Sequence, residues 1–104
     1  MADYYDIYIT TGDEAEARKI GGTLIAERLA ACANIHPIRS IYRWRGEIEE
    51  TDEAALLLKT RADLVGQIIA RVKALHSYEV PCIIATPIET GNPAYLEWIS
   101  ESTR

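Results

Sequence analysis

The chain has 104 residues, 48% hydrophobic and 26% charged, which is the usage of one ordinary globular domain over 1–104. A net charge of −5, with eleven Lys and Arg scattered among sixteen acids, excludes the basic face that nucleic acid and anionic lipid require, so neither is an expected partner. Two cysteines, Cys32 and Cys82, are too few for a disulfide framework, and no basic-then-apolar leader opens the chain, so both are expected as thiols in the cytoplasm.

Tyr4–Thr10 mixes aromatic and β-branched residues, with Tyr4, Asp6 and Tyr8 on one face and Tyr5, Ile7 and Ile9 on the other, which predicts a strand. Asp13 and Glu16 have the spacing of a capping box, and Ile20, Leu24, Ile25 and Leu29 follow at helical spacing, predicting a helix over Asp13–Ala31. Gly21-Gly22 in its middle costs about 1 kcal/mol per Gly against Ala, a concession that a close approach of helix to sheet would explain. Cys32–Arg45 alternates again, with Pro37 marking a bulge, an edge or a break. Arg45-Gly46-Glu47 is a turn, with Gly46 as its structural residue, and Glu47–Thr60 returns as a strand ending in Ala54-Ala55-Leu56-Leu57-Leu58. Thr60 and Asp63 read as a second cap before an amphipathic helix carrying Leu64, Val65, Ile68, Ile69, Val72 and Leu75. Pro81 precedes a short strand over Cys82–Ile88, and Asn92-Pro93 starts a last helix whose apolar side holds Tyr95, Leu96, Trp98 and Ile99.

The order β-α-β-β-α-β plus a terminal helix defines an α+β fold, a ferredoxin-like βαββαβ sandwich with a long β-hairpin and a C-terminal helix. That fold decides nothing about chemistry. The hairpin is out of proportion to it. At about 3.3 Å per residue a strand from Asn34 to Arg45 spans roughly 40 Å, against a radius of gyration of about 13 Å for a globule this size. Part of the hairpin must project, carrying Tyr42 and Trp44, and an aromatic two-stranded ribbon invites pairing with another copy. The alternative is that Pro37 breaks the strand and Trp44 folds back on its own domain.

ERLAACANI (Glu27–Ile35), SIYRWRGEIEE (Ser40–Glu50), LLLKT (Leu56–Thr60), ALHSYEVP (Ala74–Pro81) and GNPAYLEWI (Gly91–Ile99) resemble, in order and spacing, the CutA family of small divalent-cation tolerance proteins. The resemblance implies a cytoplasmic homotrimer of ferredoxin-like subunits whose hairpins pair with neighbouring subunits, linked to tolerance of copper and other divalent metals. It implies no enzymatic activity. It also gathers Tyr42, Trp44, Lys59, His76, Tyr78, Glu79 and Trp98 at an inter-subunit cleft, either as a ligand site or as cement for the trimer.

No cofactor is certain; copper or another divalent metal is the candidate. Cys32, His36, His76 and Cys82 supply soft donors, but Cys-x3-His and His-x5-Cys form no tight pair. Cys32 reads better as a small buried hydrophobe with a structural role; Pro81 is structural in another way, stiffening Tyr78-Glu79-Val80-Pro81 by holding the residue before it extended. Family members with a proposed copper site use a Cys late in the first strand and a consecutive His pair; here Ile9-Thr10-Thr11 and Leu75-His76 stand there, so only His76 carries over, with Cys82 nearby. The acids Glu47, Glu49, Glu50, Asp52 and Glu53 read as a solvated face rather than a hard-cation site, with one of them pairing to Arg43 or Arg45 across the turn. Two other functions compete with metal response: a trimeric regulator of the PII type sensing a small ligand, for which no phosphate-cradling glycine loop is present, and a thiol enzyme, for which no nucleophile motif is present.

Overall fold

The structure is a computed structural model that describes residues 2–104. Its elements are β1 (Tyr4–Thr11), α1 (Glu14–Ala26), β2 (Cys32–Trp44), β3 (Glu47–Arg61), α2 (Val65–Leu75), β4 (Ile83–Ile88) and α3 (Pro93–Ser102), with one 3-10 turn, Ala62–Leu64, leading into α2. The strands form one antiparallel sheet in the order β2-β3-β1-β4. This is the α+β, ferredoxin-like sandwich that the order of elements predicts.

Alternation along β1 builds the core. Ile7 and Ile9 face α1 and α2, opposite Leu58 and Leu56 of β3, and these four pack with Ala17, Ile20, Leu24, Ile68 and Val72 of the helices, all fully buried. Gly21 is where helix and sheet come closest. A Cβ there would lie 3.1 Å from Leu56 Cδ1 and 3.2 Å from Ala33 Cβ, whereas a Cβ at Gly22 would meet nothing within 4 Å. The close approach therefore accounts for one glycine of the pair.

The caps mostly follow the sequence. Asp13 Oδ1 accepts from the Glu16 N–H at 2.8 Å, and Glu16 Oε1 returns to the Gly12 N–H at 2.9 Å, one residue earlier than the usual box. Asn92 Oδ1 accepts from the Ala94 N–H at 3.1 Å, with Pro93 in the first turn.

Three boundaries differ from expectation. α1 stops at Ala26 rather than Ala31, because Arg28 takes φ +58 and the Leu29 and Ala30 N–H groups both turn back to the Leu24 carbonyl. Thr60 caps nothing; its buried hydroxyl donates to the Leu29 carbonyl at 2.6 Å, while Asp63 is held by Arg61 at 2.7 Å. Thr11 does the same at the end of β1, donating to the Ala54 carbonyl at 3.0 Å, so the two similar strand ends share one job. β4 begins at Ile83, leaving Cys82 just outside it.

Pro37 does not break β2. It pairs with Ala54 on the outermost strand, where its missing N–H faces away from the sheet. The hairpin runs without interruption to a two-residue turn, Arg45-Gly46, with φ +51 and +82, the pair of positive angles that a type I′ turn demands. Beyond Ala54, β3 has left β1 behind, so Glu47–Glu53 pairs only with β2. The molecule is drawn out accordingly, 44 Å long against 25 and 22 Å across.

Candidate functional site

The projecting arm is a single layer with apolar groups on both faces. Tyr42 and Trp44 alternate down one face; Ile41 and Ile48 lie on the other and are 68% and 67% exposed. The segment holding Tyr78 and Glu79 lies along the first face and leaves Tyr42 and Trp44 40% and 39% exposed, while the second face stands open. Sequence reading singled out the two aromatics and missed the isoleucines, although the same alternation placed them.

Along one side of the arm, from its root to its turn, lies a cavity of about 770 Å³, lined by Ser40, Tyr42, Trp44 and Arg45 of the hairpin, by Thr10, and by Tyr78, Glu79 and Cys82 of the segment before β4. Trp44 and Arg45 sit together, the guanidinium carbon 5.3 Å from the ring centroid, and Arg45 Nη2 donates to Glu79 Oε2 at 2.6 Å. The partner expected for Arg45 was an acid across the turn. Those acids serve Arg39 instead, whose Nε donates to Glu50 at 2.7 Å and whose Nη1 donates to Asp52 at 2.8 Å. Glu50 and Asp52 share a face because they are two residues apart on a strand. The rest of the acid run does face solvent, except Glu53.

Glu53 is 8% exposed and accepts from the Tyr78 hydroxyl at 2.5 Å. Burial and this carboxylate together push ionisation of Tyr78 well above the ordinary tyrosine range, so its hydroxyl stays a donor. The Tyr78 N–H donates to His76 Nδ1 at 3.0 Å, and the two rings pack 4.7 Å apart. His76 Nε2 is 2.8 Å from the Thr10 carbonyl oxygen, which makes Nε2 the protonated nitrogen and Nδ1 the acceptor. The imidazole is fully buried, with Glu16 Oε2 3.7 Å from Nδ1. Burial pushes Glu16 up, but hydrogen bonds from the Gly12 N–H and from Ser77 outweigh it and hold its carboxyl below the ordinary value.

Both ring nitrogens of His76 are thus engaged within the subunit, and His76 does not line the cavity that Cys82 lines. Among the described residues no three His, Cys, Asp or Glu side chains are grouped to hold a metal ion. A resident metal does not fit this subunit as it stands.

Lys59 and Trp98 are also away from the cavity. Lys59 lies opposite Cys32 and Asp6 on the face of the sheet turned away from α1 and α2, its Nζ donating to Asn34 Oδ1 at 3.0 Å, and Trp98 packs on Tyr95 of α3 at 5.4 Å. Cys32 is half-buried there rather than enclosed in the core; its thiol lies 3.7 Å from Asn34 Oδ1. Burial first, and then hydrogen bonding with Cys32, push the Tyr95 hydroxyl up. Within one subunit the seven expected cleft residues therefore fall into two groups. Tyr42, Trp44, Tyr78 and Glu79 line the cavity with His76 behind them, while Lys59 and Trp98 stand at the far end of the sheet.

Comparison with known proteins agrees with the architecture. Residues 6–102 match the family model described as CutA1 divalent ion tolerance protein. The chain is 50% identical over 98 residues to the divalent-cation tolerance protein CutA of Thermus thermophilus, covering 93% of this chain and 95% of the relative. It is 46% identical over 96 residues to the CutA of Archaeoglobus fulgidus, covering 92% and 94%. The crystal structure of CutA1 from Oryza sativa superposes with a TM-score of 0.95 at 41% identity, over 99% of this chain and 95% of that one. With a family model spanning almost its whole length and relatives this similar, the chain belongs to the CutA1 divalent ion tolerance protein family.

Proposed function

We propose that the protein works as a homotrimer in the response to divalent metal ions, without catalysing a reaction. The observation that carries the assembly is the two-faced apolar arm: a ribbon with Tyr42 and Trp44 on one side and Ile41 and Ile48 on the other needs cover on both. Cyclic association of identical copies supplies it without leaving an open end. Metal response is supported by the family to which the chain belongs. Light scattering on the purified protein at micromolar concentration tests the assembly. The expected mass is three times 11.6 kDa, and a monomer overturns the reading. Trp44→Ala is expected to shift the equilibrium toward monomers.

Copper at His76, with Cys82 as a thiolate partner, belongs to this reading only if the Tyr78 N–H gives up Nδ1 to the ion. Titration with Cu(I) and Cu(II) of the parent and of His76→Ala decides it; equal affinities remove His76 from any site. The compartment we infer is the cytoplasm, supported by two free thiols. A structural neighbour from Archaeoglobus fulgidus is described as periplasmic, so fractionation of the expressing cells is the test.

A second reading is favoured by the cavity: a trimeric regulator that senses a small molecule beside the hairpin. Its volume of about 770 Å³ and its mix of aromatic and polar walls are those of a ligand site.

A further inference from the structure

Cys32 opens β2, the outermost strand, and Lys59 stands directly opposite it on β3. Side chains paired this way across an antiparallel ladder start about 5 Å apart at Cβ. Their reactive ends converge. The Cys32 thiol donates to Asn34 Oδ1 at 3.7 Å and Lys59 Nζ donates to the same oxygen at 3.0 Å, so sulfur and nitrogen flank one atom. The Tyr95 hydroxyl of α3 hydrogen-bonds the thiol as well. Cys32 is half-buried while Asn34 and Tyr95 are exposed, so a molecule the size of hydrogen peroxide reaches the sulfur. Peroxide oxidises a thiol through its anion, and that anion would face the Lys59 ammonium.

We propose that Cys32 and Lys59 form a reversible redox cross-link: hydrogen peroxide oxidises the thiol to a sulfenic acid, and the Lys59 amine captures it as a sulfenamide. The inference depends on neither the assembly nor the ligand-sensing reading. In the first step the sulfur attacks one peroxide oxygen, the O–O bond breaks, and the hydroxide released leaves as water with the thiol proton. Sulfur gives up two electrons and peroxide accepts them. In the second step the neutral amine attacks the sulfur, and an S–N bond replaces the S–O bond. Hydroxide leaves as water with a proton from the nitrogen, the same condensation that forms sulfenamides on backbone nitrogen. No further oxidant is consumed. The proton that the ammonium first sheds passes to solvent by way of Asp6. That residue lies opposite Lys59 on β1, and its buried Oδ1 has no hydrogen-bond partner among the described residues. The link staples β2 to β3 and keeps the sulfenic acid from going on to the irreversible sulfinic acid. A thiol reductant opens it again.

The test is peptide mass spectrometry of the full chain after brief treatment with hydrogen peroxide under native conditions, with remaining thiols then blocked. The expected product is a Cys32 peptide joined to a Lys59 peptide, lighter than their sum by two hydrogens and separated again by dithiothreitol. Lys59→Arg keeps a cation and a donor for Asn34 but has no amine to attack the sulfur. It is expected to lose the link and to carry Cys32 onward to sulfinic acid, with an unchanged circular dichroism spectrum. Cys82, whose cavity wall holds no lysine, is expected to form no such link. A linked pair that persists in Lys59→Arg overturns the proposal. So does a parent chain in which Cys32 is untouched, enters a disulfide, or is oxidised while Lys59 stays unmodified. A linked pair carrying an additional oxygen overturns the S–N bond.

Discussion

Tyr78 ties three parts of the molecule together. Its hydroxyl holds Glu53 of the hairpin root, its N–H holds His76 after α2, and its ring sits against the imidazole. Tyr78→Phe leaves a nearly buried carboxylate with no donor, and is expected to cost about 1–3 kcal/mol in urea unfolding. Glu16 does similar work at the start of α1, accepting from the Gly12 and Ser77 N–H groups. Because its carboxyl is held below the ordinary value of 4.5, its contribution to stability is complete above that pH and drains away as pH falls through the lower value in the fold. Glu16→Gln is therefore expected to flatten the loss of stability below pH 4.5 in thermal melts, and an unchanged acid limb would remove Glu16 from that role. Local partners of this kind were legible in the sequence: Asp13 with Glu16, and Asn92 with Pro93, are neighbours along the chain. Arg45 with Glu79 and Tyr78 with Glu53 were not, because they lie 34 and 25 residues apart and only the fold brings them together.

Among the elements, α1 and β3 each carry two environments. In α1, Gly21 touches the sheet and Gly22 faces open space. Gly22→Ala is expected to stabilise by about 0.5–1 kcal/mol in chemical denaturation. Gly21→Ala is expected to fall below it by about 1–3 kcal/mol, since Ala33 Cβ is fixed to its strand and cannot yield as Leu56 Cδ1 can. The glycine pair was visible from the sequence, but not which of the two was needed, because that depends on the rotation of the helix over the sheet. The early end of α1 was hidden for a related reason. Leu29 continues the apolar period, yet it reaches the core from beyond a left-handed Arg28 rather than from the helix. β3 was the easier case: Ala54–Leu58 is fully apolar because it lies at the centre of the sheet with β1 and β2 beside it, while the acids Glu47, Glu49, Glu50 and Asp52 stand clear.

Over the whole molecule, the mismatch between a long hairpin and a small domain was legible from residue counts alone, and the 44 Å length of the subunit agrees with it. What the counts could not convey is that both faces of the arm are apolar. Replacing Ile41 and Ile48 together by Lys is expected to convert the proposed trimer to monomers in sedimentation velocity, with the subunit still folded by circular dichroism. Those two side chains are two-thirds exposed in the isolated subunit, so their loss costs it little. An unchanged mass would place that face outside any contact.

The Arg45-Gly46 turn sets the fate of the whole arm. A two-residue turn leaves one alignment of the strands, Trp44 opposite Glu47, and every later pair is counted from it. One residue inserted there would slide β2 along β3 by a step and exchange the two faces, sending Tyr42 and Trp44 to the side where Ile41 and Ile48 now stand. The core at the other end of β3 is fixed by Leu56 and Leu58 and would resist the slide, so the strain would collect in the arm. Length variation in this protein is therefore poorly tolerated at an exposed turn, the reverse of what surface loops ordinarily allow.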